Sequence, residues 1–132
     1  MNFNKISFRV RYGETDQMGV VYHGNYAQYL EIGRVEWLRA LGVTYKSMED
    51  NGIILPVIHL QIDYKKSAVY DDLITVETSL KKMPLVKIEF DYIIYNEKGD
   101  VLATANTILA FMDKKNNRPI KCPDYILDKL NQ

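Results

Sequence analysis

The sequence predicts an α+β fold in which one long helix buries its apolar face against an antiparallel sheet of about five strands. Three observations carry that expectation. Near the N-terminus the run KISFRVRY puts Ile6, Phe8 and Val10 on one face and Lys5, Ser7, Arg9 and Arg11 on the other, the period of a half-buried strand. Further on, Tyr26, Leu30, Gly33, Trp37 and Leu41 recur at steps of four, three, four and four, which draws one apolar stripe along a helix of about four turns. After Gly52 the chain changes to ILPVIHLQIDYKK, DLITVETSL, VKIEFDYIIYN and VLATANTILAFMD, runs whose β-branched and aromatic residues suit pleated strands.

Taken in order, the first strand is expected from Lys5 to Tyr12, followed by a glycine-bearing segment and then the long helix. Asn25 is available as the helix N-cap and Gly42 as its stop. Gly33 lies inside the apolar stripe, where glycine costs roughly 1 kcal/mol against alanine, so something is expected to pack closely on it. A short second helix is read from Thr44 to Asn51, with Gly52 ending it. Turn-prone breaks at Ala68 to Asp72, Met83-Pro84 and Asn96 to Asp100 separate four further strands, the last three joined as antiparallel hairpins or meanders. The NEKGD break, with Gly99 able to take a positive φ, is the clearest hairpin signal. PDYILDKLNQ can form a short closing helix after Pro123. No repeat or low-complexity linker interrupts the chain, and 132 residues suit one domain, residues 1–132, with a core that needs no disulfide or metal staple.

Composition narrows the function classes. Seventeen basic and seventeen acidic side chains cancel, and there is no dense basic stripe of the kind that follows a phosphate backbone, so nucleic acid is not an expected partner. The longest apolar runs are too short to span a bilayer. MNFNKISFRVRYGE alternates polar and apolar residues without the apolar core or small-residue cleavage site of a secretory signal, which makes the cytoplasm the expected location. Cys122 is the one cysteine and there are two histidines, too few and too far apart for a structural zinc site.

The segment TDQMGVVYHGNYAQYLEIGR, Thr15 to Arg34, closely resembles the motif of the hotdog-fold acyl-CoA thioesterases of the 4-hydroxybenzoyl-CoA thioesterase family. The matching residues are Asp16, Met18-Gly19, Val21-Tyr22-His23, Asn25-Tyr26, and Glu31 with Gly33-Arg34. DYKKSAVYDDLITVET resembles the strand-turn-strand that follows the helix in that family, and the order of elements agrees along nearly the whole chain. The resemblance implies the hotdog fold, a sheet wrapped around a central helix. It also implies hydrolysis of an acyl thioester, usually of coenzyme A, with no metal or other cofactor. Asp16 matches the family's catalytic carboxylate, acting as general base for water or as a nucleophile through a mixed anhydride. Acyl carrier protein is the alternative carrier. A non-catalytic acyl-binding protein is the alternative of a different class, and Asp16 argues against it because a pure binder needs no carboxylate there.

The same motif gives the glycines a purpose. Thioester cleavage builds negative charge on the carbonyl oxygen, and a helix N-terminus offers unpaired N–H groups and the positive end of the helix dipole. By resemblance the backbone N–H of His23, with that of Gly24, is the oxyanion donor, a contact worth about 2.7–4 kcal/mol where such donors have been removed. Gly24 would let an acyl group approach the backbone, and Gly19 would let the chain bend from Asp16 toward the helix. The His23 side chain could contact substrate, orient Asp16, pack or cap. His59, within VIHLQI, reads as a packed strand histidine. Glu31 reads first as a solvated side chain or an i+3 partner of Arg34; a related branch of hotdog thioesterases has a catalytic carboxylate on this helix, so Glu31 is the reserve catalytic candidate. Tyr22, Tyr26 and Tyr29 read as pocket or core residues, Asn25 as cap and substrate neighbour. Lys65, Lys66, Lys81, Lys82 and Arg118 lie at strand ends from which they could meet the phosphates of coenzyme A, although lysine there is also ordinary edge protection. Family members pair sheet edge to sheet edge as homodimers, with the substrate channel between subunits, and some assemble two dimers into a tetramer.

Overall fold

In the computed structural model, which describes residues 3–132, the chain begins with strand β1 (Phe3–Arg9) and curls into a 3-10 turn at Tyr12–Glu14. A loop leads to a second 3-10 turn, His23–Asn25, which runs directly into helix α1 (Tyr26–Leu41). Helix α2 (Tyr45–Asp50) and strands β2 (Ile53–Ile54), β3 (Val57–Tyr64), β4 (Leu73–Leu80), β5 (Lys87–Asn96), β6 (Val101–Ala110), β7 (Met112–Asp113) and β8 (Arg118–Pro119) follow, and helix α3 (Asp124–Leu130) closes the chain. The main sheet is antiparallel in the order β1-β4-β5-β6-β3, and a small second sheet has the order β2-β7-β8.

Register follows the period-two pattern. Ile6, Val76, Ile94, Ala103 and Tyr64 stand in one row across the five strands and share the sheet face that α1 covers. Helix α1 lies across β1, β4 and β5, and its Tyr29, Leu30 and Leu38 are buried with Ile74, Ile88, Phe90, Tyr92, Ile94 and Leu109 of the sheet. Trp37 meets Phe90 edge to face at 5.0 Å, a geometry aromatic pairs prefer. Gly42 ends the helix in the left-handed region at φ 93°, and Gly99 turns the β5–β6 hairpin at φ 84°, both conformations that favour glycine. Cys122 is buried, and burial pushes its thiol up to about 12.

Several sequence expectations change. Strand β1 stops at Arg9, short of Tyr12, because the Glu14 carboxylate draws the Arg11 N–H to 2.8 Å and curls the chain. The stretch ILPVIHLQIDYKK is not one strand. Ile53 and Ile54 leave to pair with Asp113 and Met112, and Pro56, which has no N–H to give a ladder, precedes β3. His59 is not packed: it lies exposed on β3, which stands at the end of the strand order beside β6. Arg34 does not seek Glu31. It is buried, and its Nε donates to the Tyr45 hydroxyl at 3.0 Å.

Close approach at Gly33 is real. A Cβ there would lie 2.5 Å from Thr78 Oγ1 and 2.8 Å from Val76 Cγ1, atoms held in the buried face of β4. Gly33→Ala is therefore expected to destabilise the fold. Overpacking of about 1–3 kcal/mol exceeds the roughly 1 kcal/mol of helix propensity gained, and the urea midpoint should fall with the slope unchanged.

Candidate active site

The loop that carries Asp16 is a short hydrogen-bonded hairpin. Tyr22 N–H donates to the Glu14 carbonyl at 2.9 Å, Asp16 N–H to the Val20 carbonyl at 2.8 Å, and Gly19 N–H to the Asp16 carbonyl at 3.0 Å. Gly19, at φ 82°, supplies the left-handed residue that this turn requires. One carboxylate oxygen of Asp16 accepts from Met18 N–H at 2.9 Å, and the other makes no hydrogen bond to the described residues. The hairpin is tied to the turn before β4 by Val21 N–H on the Ala68 carbonyl, 2.9 Å, and by a bridge between Val20 and Val69.

Glu14 anchors this hairpin from both ends of the residue. Its carbonyl accepts the Tyr22 N–H and the Asn25 side-chain amide at 2.8 Å. Its carboxylate, 12% exposed, accepts from Tyr29 Oη at 3.0 Å and from Arg11 N–H and guanidinium. Burial, and then the Glu14 carboxylate, push the Tyr29 hydroxyl well above the usual phenol range. Asn25 thus stands at the N-cap position of α1 without capping it; its side chain is spent on Glu14.

Asp16, His23, Tyr26, Tyr64, Lys65 and Lys66 line one cavity of about 390 Å³, with Met18 and Val20 at its apolar side. The His23 carbonyl accepts from Tyr64 Oη at 2.9 Å and from Tyr26 N–H. The N–H groups of His23 and Gly24 make no hydrogen bond to the described residues. Gly24 has a packing reason to lack a side chain: a Cβ would lie 2.6 Å from the Tyr22 ring, which in turn leans on the His23 ring at 4.5 Å.

The other sequence candidates fall elsewhere. Tyr22 is 48% exposed beside the cavity, and Glu31 is exposed on α1. Lys66 is engaged by Asp100 at 2.8 Å, whose carboxyl the Lys66 hydrogen bond holds below the usual range. Lys81 and Lys82 are not brought to Asp16. They follow β4 at the opposite end of the sheet from Tyr64, where Lys81 pairs with Glu89 at 3.6 Å over a groove on the outer face. Arg118 lies exposed in the small sheet. Glu14 and Tyr64 were not singled out by the sequence. Glu14 sits two positions before Asp16, a weak cue, while Tyr64 reaches His23 across 41 positions and left no local signal. Among the described residues no cluster of three or more His, Cys, Asp or Glu side chains is placed to hold a metal ion.

A helix clasped by an antiparallel sheet, with Asp16 and His23 lining one cavity at the helix entrance, is the architecture of a hotdog-type thioester hydrolase. Residues 10–130 match the family model of the thioesterase-like superfamily, and the chain belongs to that family. It is 37% identical to the Bacillus subtilis protein YneP over 92% of this chain and 88% of that one. It is 34% identical to the Haemophilus influenzae acyl-CoA thioesterase YbgC over 93% and 92% of the two chains. The crystal structure of a DHNA-CoA thioesterase from Staphylococcus aureus superposes with a TM-score of 0.92 at 37% identity, covering 99% of this chain and 88% of that one.

Removing the anchor should loosen the hairpin. Glu14→Ala leaves the buried Tyr29 hydroxyl without its acceptor, an expected loss of about 1–3 kcal/mol measurable by chemical denaturation. Glu14→Gln, which keeps an acceptor oxygen, should lose less.

Proposed function

We propose that this protein is an acyl-CoA thioesterase in which Asp16 activates the attacking water and the N–H groups of His23 and Gly24 receive the oxyanion. The observation that carries this reading is the shared cavity of Asp16 and His23, with one Asp16 oxygen held by Met18 N–H and the other left for chemistry. Asp16 takes a proton from water as the new C–O bond forms, negative charge collects on the carbonyl oxygen, and collapse breaks the C–S bond. The thiolate leaves and is protonated, giving a free acid and coenzyme A. Direct attack by Asp16 through a mixed anhydride uses the same geometry and ends in the same products. Lys65 at the cavity rim is the cation available to the coenzyme A phosphates, since Lys66 is already paired with Asp100.

The functional unit in this reading is a homodimer joined along β3, alone or as half of a tetramer. Among the described residues one side of β3 has no strand beside it, and Val57, Ile58, Leu60 and Tyr64 are 44%, 52%, 46% and 49% exposed. An apolar edge of that kind is a template for pairing, and two identical edges can satisfy each other about a twofold axis. The buried thiol of Cys122 and the coenzyme A substrate both suit a cytoplasmic enzyme.

Asp16→Asn keeps the side chain's size and removes base and nucleophile, so turnover of a panel of short, long and aromatic acyl-CoAs should fall by at least about 100-fold with folding intact. Parental turnover in that variant would move the assignment to Glu31. Leu60→Asp, which sets a charge on the open β3 face, should convert the dimer to a slower-assembling or monomeric species in sedimentation velocity; an unchanged dimer would exclude the β3 edge as its seam.

A further inference from the structure

We infer that Tyr64 is a positioning residue for the oxyanion donor at Gly24, an inference that rests on the catalytic reading above. The His23 carbonyl and the Gly24 N–H belong to one peptide unit. That unit is planar and trans, so its C=O and N–H point to opposite sides, and holding the oxygen fixes the direction of the N–H. Two donors hold that oxygen: the Tyr26 N–H from the start of α1, and Tyr64 Oη at 2.9 Å from the end of β3. The preceding peptide, which carries the His23 N–H, is held separately by Asn25 N–H on the Tyr22 carbonyl at 2.9 Å. One oxyanion donor is therefore aimed by local main chain, and the other by main chain plus a side chain from a distant strand.

The Tyr64 ring is itself fixed. It meets the Tyr26 ring edge to face at 5.0 Å and the His23 ring edge to face at 6.3 Å, and Tyr26 is 3% exposed. Donation to the carbonyl also polarises the peptide and strengthens its N–H as a donor, by about 10–30% per bond in a chain of hydrogen bonds. Charge develops on the thioester oxygen only as the reaction proceeds. A better-aimed N–H therefore lowers the barrier without tightening ground-state binding.

Tyr64→Phe removes the hydroxyl and keeps both ring contacts. The expected result is a kcat about 10-fold lower, less than the 10²–10³ seen when an oxyanion donor is lost outright, with KM and the acid limb of the pH–rate profile unchanged. The ¹H and ¹⁵N shifts of the Gly24 amide should move in the same variant, a reading that does not depend on turnover. Parental kcat, a raised KM with kcat intact, or an unmoved Gly24 amide would each overturn the inference. Asp16→Asn measured alongside separates the two readings: if it retains turnover, the catalytic assignment fails, whereas an inactive Asp16→Asn beside a fully active Tyr64→Phe removes only the role of Tyr64.

Discussion

The half-buried carboxylate of Glu14 is the constraint on which the site depends. A carboxylate in that position is costly unless its oxygens are satisfied, and here a buried tyrosine, a main-chain N–H and a guanidinium satisfy them. Because Tyr29 belongs to the inner face of α1, the bond fastens the hairpin to the central helix rather than to solvent-exposed structure. The carbonyl of the same residue secures Tyr22 and Asn25, so the two ends of the motif, the Asp16 turn and the helix entrance, are held from one point. A catalytic geometry needs this kind of support, since a displacement of about 1 Å can cost two orders of magnitude in rate.

Strand β3 meets several demands at once. Its inner row joins the sheet register through Ile62 and Tyr64, its last residue reaches the helix entrance, and its outer edge is open among the described residues. The helix lies over β1, β4 and β5, which leaves apolar side chains of β3 uncovered on the face where the sheet should be driest. A strand in that state is unfinished as a piece of protein core, and the cavity lined by Asp16, His23 and Tyr64 opens beside it.

What could be read from the sequence was local. The apolar stripe of α1, the glycine stops at Gly42 and Gly52 and the hairpin turn at Gly99 each follow from a neighbour a few residues away or from a backbone angle that few residues tolerate, whereas Gly33 showed only that something packs on the helix there, not that Val76 and Thr78 of β4 do. Asp16 and His23 were legible as a pair because one short motif carries both. Residues whose partners are far along the chain were not. The run Val57 to Ile62 has the composition of a buried strand, and nothing in it says that it ends up at an edge. Asn25 has the right chemistry for a cap and spends it on Glu14 instead. Lys65 and Lys66 are adjacent and chemically alike, yet only the fold brings Asp100 to the second of them. The second sheet escaped notice because its strands are two residues each, too short to show a period.

The Lys66–Asp100 pair has a consequence for how a highly charged ligand would arrive. With that lysine neutralised, the cavity rim presents Lys65 as a single uncommitted cation among the described residues, on a chain whose formal charges sum to zero. Such a surface generates little long-range field, so encounter would proceed near the unsteered diffusional rate and depend only weakly on ionic strength. On the proposed reading, retention of such a ligand would rest on short-range contact inside the cavity, so residence time, more than capture, would be the quantity set by the walls around Tyr26 and Tyr64.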